Sequence, residues 1–287
     1  MSRVAYVNGR FEPMRSAAVG VEDRGFQFAD GIYEVWAVLD GRLADADGHY
    51  ARMDRSLGEL RIGSPMSRDA LLAALRETVR RNRVVDGLLY LQVTRGEARR
   101  DHVFPAASTR PTVVMTCKSL SPAALEASGR DGVAVITQPD IRWGRCDIKT
   151  VGLLPNVLAK QAAKEAGAAE AWLVDDAGFV TEGGSTNAWI VDGEGALRTR
   201  STQSNILRGV TRTNLLRIAE REGMAVDERA FDVDEAKTAK EAFFTAASAF
   251  LTPVVRIDGT TVGDGRPGPV TARLRALYLA NARAEAI

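Results

Sequence analysis

Two mixed α/β domains meeting near residue 120 are predicted by the sequence, on three observations. The chain's 287 residues exceed what one hydrophobic core usually organises. In both halves, short strand-like runs alternate with longer stretches whose apolar residues recur every three or four positions. Between the halves, Ser119-Leu120-Ser121-Pro122 interrupts the pattern, so residues 120–123 are the expected linker between domains at 1–119 and 124–287.

The first half opens with Val4 to Val7, Asn8-Gly9 and Arg10-Phe11, a hairpin because Asn-Gly suits a tight primed turn. Ile32 to Leu39, Asp40-Gly41 and Arg42 to Ala44 repeat that design. Asp47 to Leu60 is a helix with Met53, Leu57 and Leu60 facing the core. Ser67 caps a second, running to Asn82 with Leu71, Leu75 and Val79 on its apolar face. Leu88 to Thr94 and Thr112 to Cys117 complete this half as strands.

The second half begins with a strand at Gly132 to Thr137 and an Ala- and Lys-rich helix at Pro155 to Ala166. Ala171 to Val174, Gly178 to Thr181, Asn187 to Val191 and Ala196 to Arg200 form a meander with Asp-Ala-Gly and Asp-Gly-Glu-Gly turns. Thr211 to Arg221 is an amphipathic helix stopped at Gly223. Glu241 to Thr252 is expected as one strand and Thr271 to Ala284 as a closing helix.

Composition removes several classes of function. With 38 basic and 37 acidic residues and no basic block, nucleic acid is not an expected partner. The longest apolar runs, such as Ala242 to Phe250, cannot span a bilayer, and the strand at Val4 leaves no room for a signal peptide, so a cytoplasmic protein is expected. Cys117 and Cys146 have neither CxxC spacing nor histidine neighbours, which suggests neither a metal site nor a disulfide framework.

Chemistry that needs an amine or an imidazole has few places to sit, because the chain holds only six lysines and two histidines. Lys160 with Lys164, and Lys237 with Lys240, occupy charged helical faces, while Lys118 lies by the linker. Lys149, in Cys146-Asp147-Ile148-Lys149-Thr150-Val151, is clear of any polar stripe. A partly buried lysine is costly unless it sheds its charge or is modified, and Schiff-base formation modifies it. An ordinary loop lysine satisfies the same spacing.

Three further segments invite chemistry. Thr181-Glu182-Gly183-Gly184-Ser185-Thr186-Asn187 sets an acid at a strand end before two glycines and a hydroxyl pair. Such an acid can keep a heteroaromatic nitrogen protonated, though a hairpin-end loop reads the same way. Gly209-Val210-Thr211 opens a helix, whose free amides and dipole suit a phosphate, with Arg52 available as a planar fork. Thr211 as a plain cap and Arg52 as a surface residue are the simpler readings. Arg100 and His102 project from one side of an extended stretch and can grip a carboxylate, or lie in a solvated loop.

Taken in order along nearly the whole chain, these segments resemble one family. Glu22 to Glu34, the helix around Arg52, Asp147-Ile148-Lys149, Asn156 to Lys160, Thr181-Glu182-Gly183, Gly209 to Arg212 and Leu251-Thr252-Pro253-Val254 are similar to the branched-chain and D-amino-acid aminotransferase class of pyridoxal-phosphate enzymes. The resemblance implies fold type IV, with a smaller N-terminal α/β domain and a larger C-terminal pseudo-barrel domain. It implies that Lys149 binds the cofactor, pyridoxal 5′-phosphate, and shuttles a proton between substrate Cα and cofactor C4′, while Glu182 faces the pyridine nitrogen. Arg52, Val210 and Thr211 would hold the phosphate, with Ser248 as a further hydroxyl and Ser185 beside the ring.

Within the family the Arg-x-His pair marks D-amino-acid transamination, so Arg100, His102 and Tyr33 would trap the substrate carboxylate, the loop reaching in from a second copy of the chain. The implied substrates are small-molecule amino donors and 2-oxo acids. Rival readings are branched-chain L-amino-acid or amine transamination on the same fold, and a lyase that eliminates pyruvate. Arg100 with His102 opposes an amine donor, which has no carboxylate. A binding protein without catalysis would need a damaged site, and Lys149 and Glu182 are both present. Two departures stand out: Ala247 where relatives carry Ser or Thr, and Phe250 where they carry an acid. Trp36 and Ala37, following Tyr33, are expected to set the size of the side-chain pocket.

Overall fold

The computed structural model describes residues 3–203 and 205–287. Two compact units emerge: one of residues 1–121, 148–152 and 285–287, and a second of residues 122–147 and 153–284.

The first unit is a six-stranded antiparallel sheet with helices on one face. Its elements are β1 (Val4–Val7), β2 (Arg10–Pro13), α1 (Arg24–Phe28), β3 (Gly31–Leu39), β4 (Arg42–Leu43), α2 (Ala46–Glu59), α3 (Arg68–Asn82), β5 (Gly87–Thr94) and β6 (Thr112–Ser119). The strand order is β2-β1-β6-β5-β3-β4. Asn8 and Gly9 take φ of 46° and 93°, the positive values that a two-residue primed turn demands. Ser67 caps α3 by accepting from the Ala70 amide, and Asp69 and Arg80 sit at the dipole ends that favour them.

Alternation along the strands decides what each face carries. Ile32, Trp36, Leu89, Leu91, Val113 and Met115 point into a core shared with Met53 and Leu57 of α2 and Leu71 and Leu75 of α3. Fully burying each such side chain contributes about 1.5–3 kcal/mol. The opposite face carries half-buried Tyr33, Val35, Tyr90, Gln92, Val114 and Thr116. Register sets Tyr33 across from Gln92 and Val35 across from Tyr90, so these side chains form one continuous surface.

The second unit contains α4 (Pro122–Asp131), β7 (Val133–Pro139), α5 (Leu154–Glu165), β8 (Glu170–Val174), β9 (Val180–Gly183), β10 (Asn187–Val191), β11 (Leu197–Arg198), α6 (Val210–Arg221), β12 (Val226–Asp227), α7 (Val233–Thr238), β13 (Glu241–Ala246), β14 (Phe250–Ile257), β15 (Thr260–Thr261) and α8 (Pro269–Ala284). A mixed sheet runs β12-β11-β10-β13-β14-β7-β8-β9, with β15 on β14. The Gly183 amide donates to the Thr186 carbonyl at 2.7 Å, bringing the end of β9 to the start of β10 and curling the sheet. Trp172, Val180, Ile190, Phe231 and Val254 share its largest core.

Two expectations change. The single strand expected at Glu241 to Thr252 is a hairpin, because the chain turns through Ala247-Ser248-Ala249 and β13 pairs with β14. At the expected linker, α4 begins directly at Pro122. Among the described residues no helix is long and apolar enough to cross a membrane.

Candidate active site

Lys149 belongs to the first unit although both flanking segments belong to the second. Its carbonyl accepts from the Tyr33 amide at 3.0 Å, the Val151 amide donates to Gly31 at 3.1 Å, and Thr150 bridges to Ile32. This short pairing alternates like a strand: Ile148 enters the core, and the Lys149 side chain emerges on the half-buried face. There Nζ stands 4.0 Å from the Tyr33 ring centroid. Tyr33 in turn stacks on Tyr90, with centroids 5.7 Å apart. Burial, with Tyr33 beside it, pushes the Tyr90 phenol up to about 12, and its hydroxyl donates to Gln92 at 2.7 Å.

Two of the other lysines are held in ion pairs: Lys160 with Glu170 at 3.2 Å and Lys237 with Asp258 at 3.1 Å. Among the described residues no carboxylate pairs with Lys149. An amine on an aromatic wall, with no counter-charge to displace, fits an aldehyde ligand.

The pocket wall differs from the sequence reading. Trp36 lies on the core face, its ring 5.2 Å from His49, because it is an odd number of residues from Tyr33. Val35 and Tyr90 line the Lys149 face instead, and Ala37, of the right parity, is buried further along the strand.

Arg52, expected at the phosphate, is gripped by Glu34 of β3. Its Nε and Nη2 donate to the two carboxylate oxygens at 2.8 Å each. His49 lies 2.7 Å from Glu34 Oε2 through Nδ1. The 2.7 Å contact puts the proton on Nδ1, so the longer 3.5 Å approach of Arg52 to that atom is not a second hydrogen bond. Burial pushes the Glu34 carboxyl up, but Arg52 and His49 outweigh it and hold it at about 2. Burial lowers the His49 pKa, with Glu34 acting against it.

In the second unit Glu182, at the end of β9, is buried at 4% exposure. Arg142 Nη1 donates to Oε1, Asn187 Nδ2 to Oε2 at 2.9 Å, and the Leu207 amide lies 3.3 Å from both oxygens. Burial works against the Arg142 cation, yet Asp140 and Glu182 raise its pKa. Glu182 is thus fixed at the strand end as one half of a buried ion pair. Sequence reasoning missed Arg142 and Asn187; only a charged residue and an amide among apolar neighbours signalled them. Ser185, expected beside the ring, is exposed and donates to Glu170 at 3.1 Å.

Val210 and Thr211 form the first turn of α6 and are buried. Gly209 precedes them because a Cβ there would stand 2.0 Å from Asn187 Oδ1. No side chain caps the helix, so its first amides suit an anion such as a phosphate. Thr211 Oγ1 lies 3.4 Å from the Tyr278 hydroxyl. Ser248 sits half-buried in the β13–β14 turn, and Phe250 closes that turn at φ 56° with its ring 6.1 Å from Tyr278.

Arg100 and His102 are exposed on the connection between β5 and β6. They meet on Phe28: the Arg100 guanidinium lies 5.0 Å from its ring centroid and the His102 ring 5.5 Å. Among the described residues neither hydrogen-bonds Tyr33 or Lys149.

Each unit, taken by itself, thus offers groups suited to a phosphorylated pyridine aldehyde: a lysine on an aromatic wall in the first, and a buried carboxylate and an uncapped helix start in the second. The chain matches the family described as Amino-transferase class IV over residues 31–257. It is 42% identical to a D-alanine aminotransferase of Bacillus licheniformis, covering 93% of each chain, and 38% identical to one of Staphylococcus haemolyticus, covering 94% of each. It also superposes on a T.th. branched-chain amino acid aminotransferase with pyridoxamine 5′-phosphate at a TM-score of 0.88 and 28% identity, covering 99% of this chain and 95% of the other. The chain belongs to the class IV aminotransferases. It is a transaminase of fold type IV, and its cofactor is pyridoxal 5′-phosphate.

Proposed function

We propose that this transaminase moves an amino group between a D-amino acid and a 2-oxo acid, as in exchange between D-alanine and 2-oxoglutarate. The observation that carries the reading is the gathering of Arg100 and His102 on one ring, where a guanidinium and an imidazole stand together to receive a carboxylate. The D-alanine aminotransferases among its relatives support it.

When bound, the cofactor supplies an electron sink for the bonds at the substrate α-carbon. Lys149 would hold its aldehyde, and its Nζ would move the proton at the substrate α-carbon. Glu182 would face the pyridine nitrogen and favour its protonated form. Arg52, oriented by Glu34, serves the phosphate with Val210, Thr211 and Ser248. Tyr33 joins Arg100 and His102 in binding the substrate carboxylate.

A pair of subunits completes this arrangement, with the loop of one copy serving the other. Arg100 and His102 are exposed on their own chain, as residues serving a neighbour would be. Leu154, Val157 and Leu158 form an exposed apolar stripe on α5 that a second copy would cover. The cytoplasm, where amino and oxo acids are exchanged, is the proposed location.

Lys149→Ala is expected to abolish borohydride-trappable cofactor and to lower turnover by at least about four orders of magnitude. Covalent labelling that persists in this variant would remove Lys149 from its role. A panel of paired D- and L-amino acids, read by oxo-acid formation, tests the substrate: preference for the L-series overturns the reading, and pyruvate without a new amino acid indicates a lyase.

A further inference from the structure

We propose that Arg24 and Phe28 are positioning residues for Arg100 and His102, fixing where the substrate carboxylate is bound. The inference rests on the reading of Arg100 and His102 as the carboxylate pair.

Residues 95–111 connect β5 to β6 with little regular structure of their own, the kind of loop in which side chains usually wander. Here the loop is fastened to the segment around α1. Thr94 Oγ1 donates to Asp23 at 2.8 Å, the Arg24 amide to the Gly96 carbonyl at 2.9 Å, and the Arg95 amide to the Asp30 carbonyl at 3.0 Å.

Arg24 then reaches further along the loop. Its side chain is 3% exposed, and it splits its fork: Nε donates to Asp30 Oδ2 at 2.8 Å and Nη1 to the Asp101 carbonyl at 2.7 Å. Asp101 is the residue between Arg100 and His102, so this bond pins the backbone on which both are mounted. Asp30 is shared with Arg95, which donates to it at 2.7 and 2.9 Å and lies 3.7 Å from the Phe104 ring centroid further along the loop. Asp30 cannot relax away, because two guanidinium groups converge on it.

Phe28 supplies the second constraint. Arg24, Arg100 and His102 all approach this one ring, the two guanidinium carbons at 4.8 and 5.0 Å from its centroid. Cations are drawn to an aromatic face, so the ring holds Arg100 in place without consuming any of its N–H donors. The backbone is fixed from below and the side chains from beside, leaving the donors of Arg100 for a carboxylate. Arg24 itself cannot take that role, being buried with its fork engaged. A lysine at position 24 offers one nitrogen for two acceptors that need separate ones.

The test uses the cofactor-loaded enzyme with D-alanine and 2-oxoglutarate. Phe28→Leu and Arg24→Lys should each raise KM for D-alanine about tenfold, with kcat within about twofold and an unchanged cofactor absorption spectrum. In an Arg100→Ala background, Phe28→Leu should raise KM clearly less than the roughly tenfold it gives alone, because only the part passing through His102 remains. The proposal is overturned if Phe28→Leu and Arg24→Lys leave KM within twofold while Arg100→Ala raises it. Loss of kcat together with thermal midpoint, or full additivity with Arg100→Ala, also overturns it by indicating a merely structural role. Should Arg24→Lys fail to fold, half-buried Phe28→Leu decides alone. An Arg100→Ala enzyme with normal KM would instead sink the carboxylate-pair reading, and the positioning role with it.

Discussion

Glu34 and Glu182 are both buried carboxylates held by an arginine, yet they are built in opposite ways. Glu34 is saturated by two side chains one turn apart on α2, Arg52 and His49, across a single strand–helix contact. Glu182 collects Arg142 from the loop after β7, Asn187 from β10 and the Leu207 amide ahead of α6. The first is a local clamp whose chief result is to orient Arg52. The second ties three distant segments to one oxygen pair at a strand end. Equal burial therefore does not mean equal purpose: one carboxylate should matter most to stability, the other most to chemistry.

The largest expected effect is on Glu34. Glu34→Gln removes the buried carboxylate that Arg52 and His49 share, and breaking such a pair costs about 3–5 kcal/mol. Denaturant melts should show that loss, and a cost below about 1 kcal/mol would erase the distinction. Acid tests the same clamp in the unmodified protein. The carboxyl lies at about 2 folded against an ordinary 4.5, so its contribution is fully present above pH 4.5 and is lost as pH falls towards 2. That limb should amount to about 3 kcal/mol, and it should flatten in Glu34→Gln. The smaller effect belongs to Glu182→Gln, which should slow single-turnover proton abstraction about 100-fold, or about 2.7 kcal/mol. Its cost in stability should be less than that of Glu34→Gln, since Arg142 keeps Asp140 as a partner. Equal slowing in both variants would break the comparison.

The sequence reveals these two sites unevenly. Lys149 and Glu182 stand out through rarity and placement, and strand alternation and helical spacing reveal most elements to within a residue or two. What stays hidden depends on partners far apart in sequence or on turns without turn residues. Glu34 as the partner of Arg52 escapes because nothing in the order of residues places the two opposite each other. The β13–β14 hairpin escapes because its turn holds no Gly, Pro, Asn or Asp, and a phenylalanine occupies the positive-φ position. Pro122 looks like a break, but a proline in the first turn can start a helix, and Ala123-Ala124-Leu125-Glu126-Ala127 behind it continues one. Pocket size is misread at Trp36 by a single step of the pleat.

The excursion of residues 148–152 has a practical consequence for anyone wishing to take the protein apart. Residues 149–151 of that stretch pair with β3 of the first unit, while the neighbours of 148–152 on either side fold with the second. A fragment ending at residue 121 would keep Tyr33 and Tyr90 but lack the amine, and one beginning at residue 122 would carry the amine without the sheet edge that orients it. Splitting the gene at this boundary should therefore yield two inactive halves, with turnover returning only when the pieces reassociate and the borrowed segment docks again.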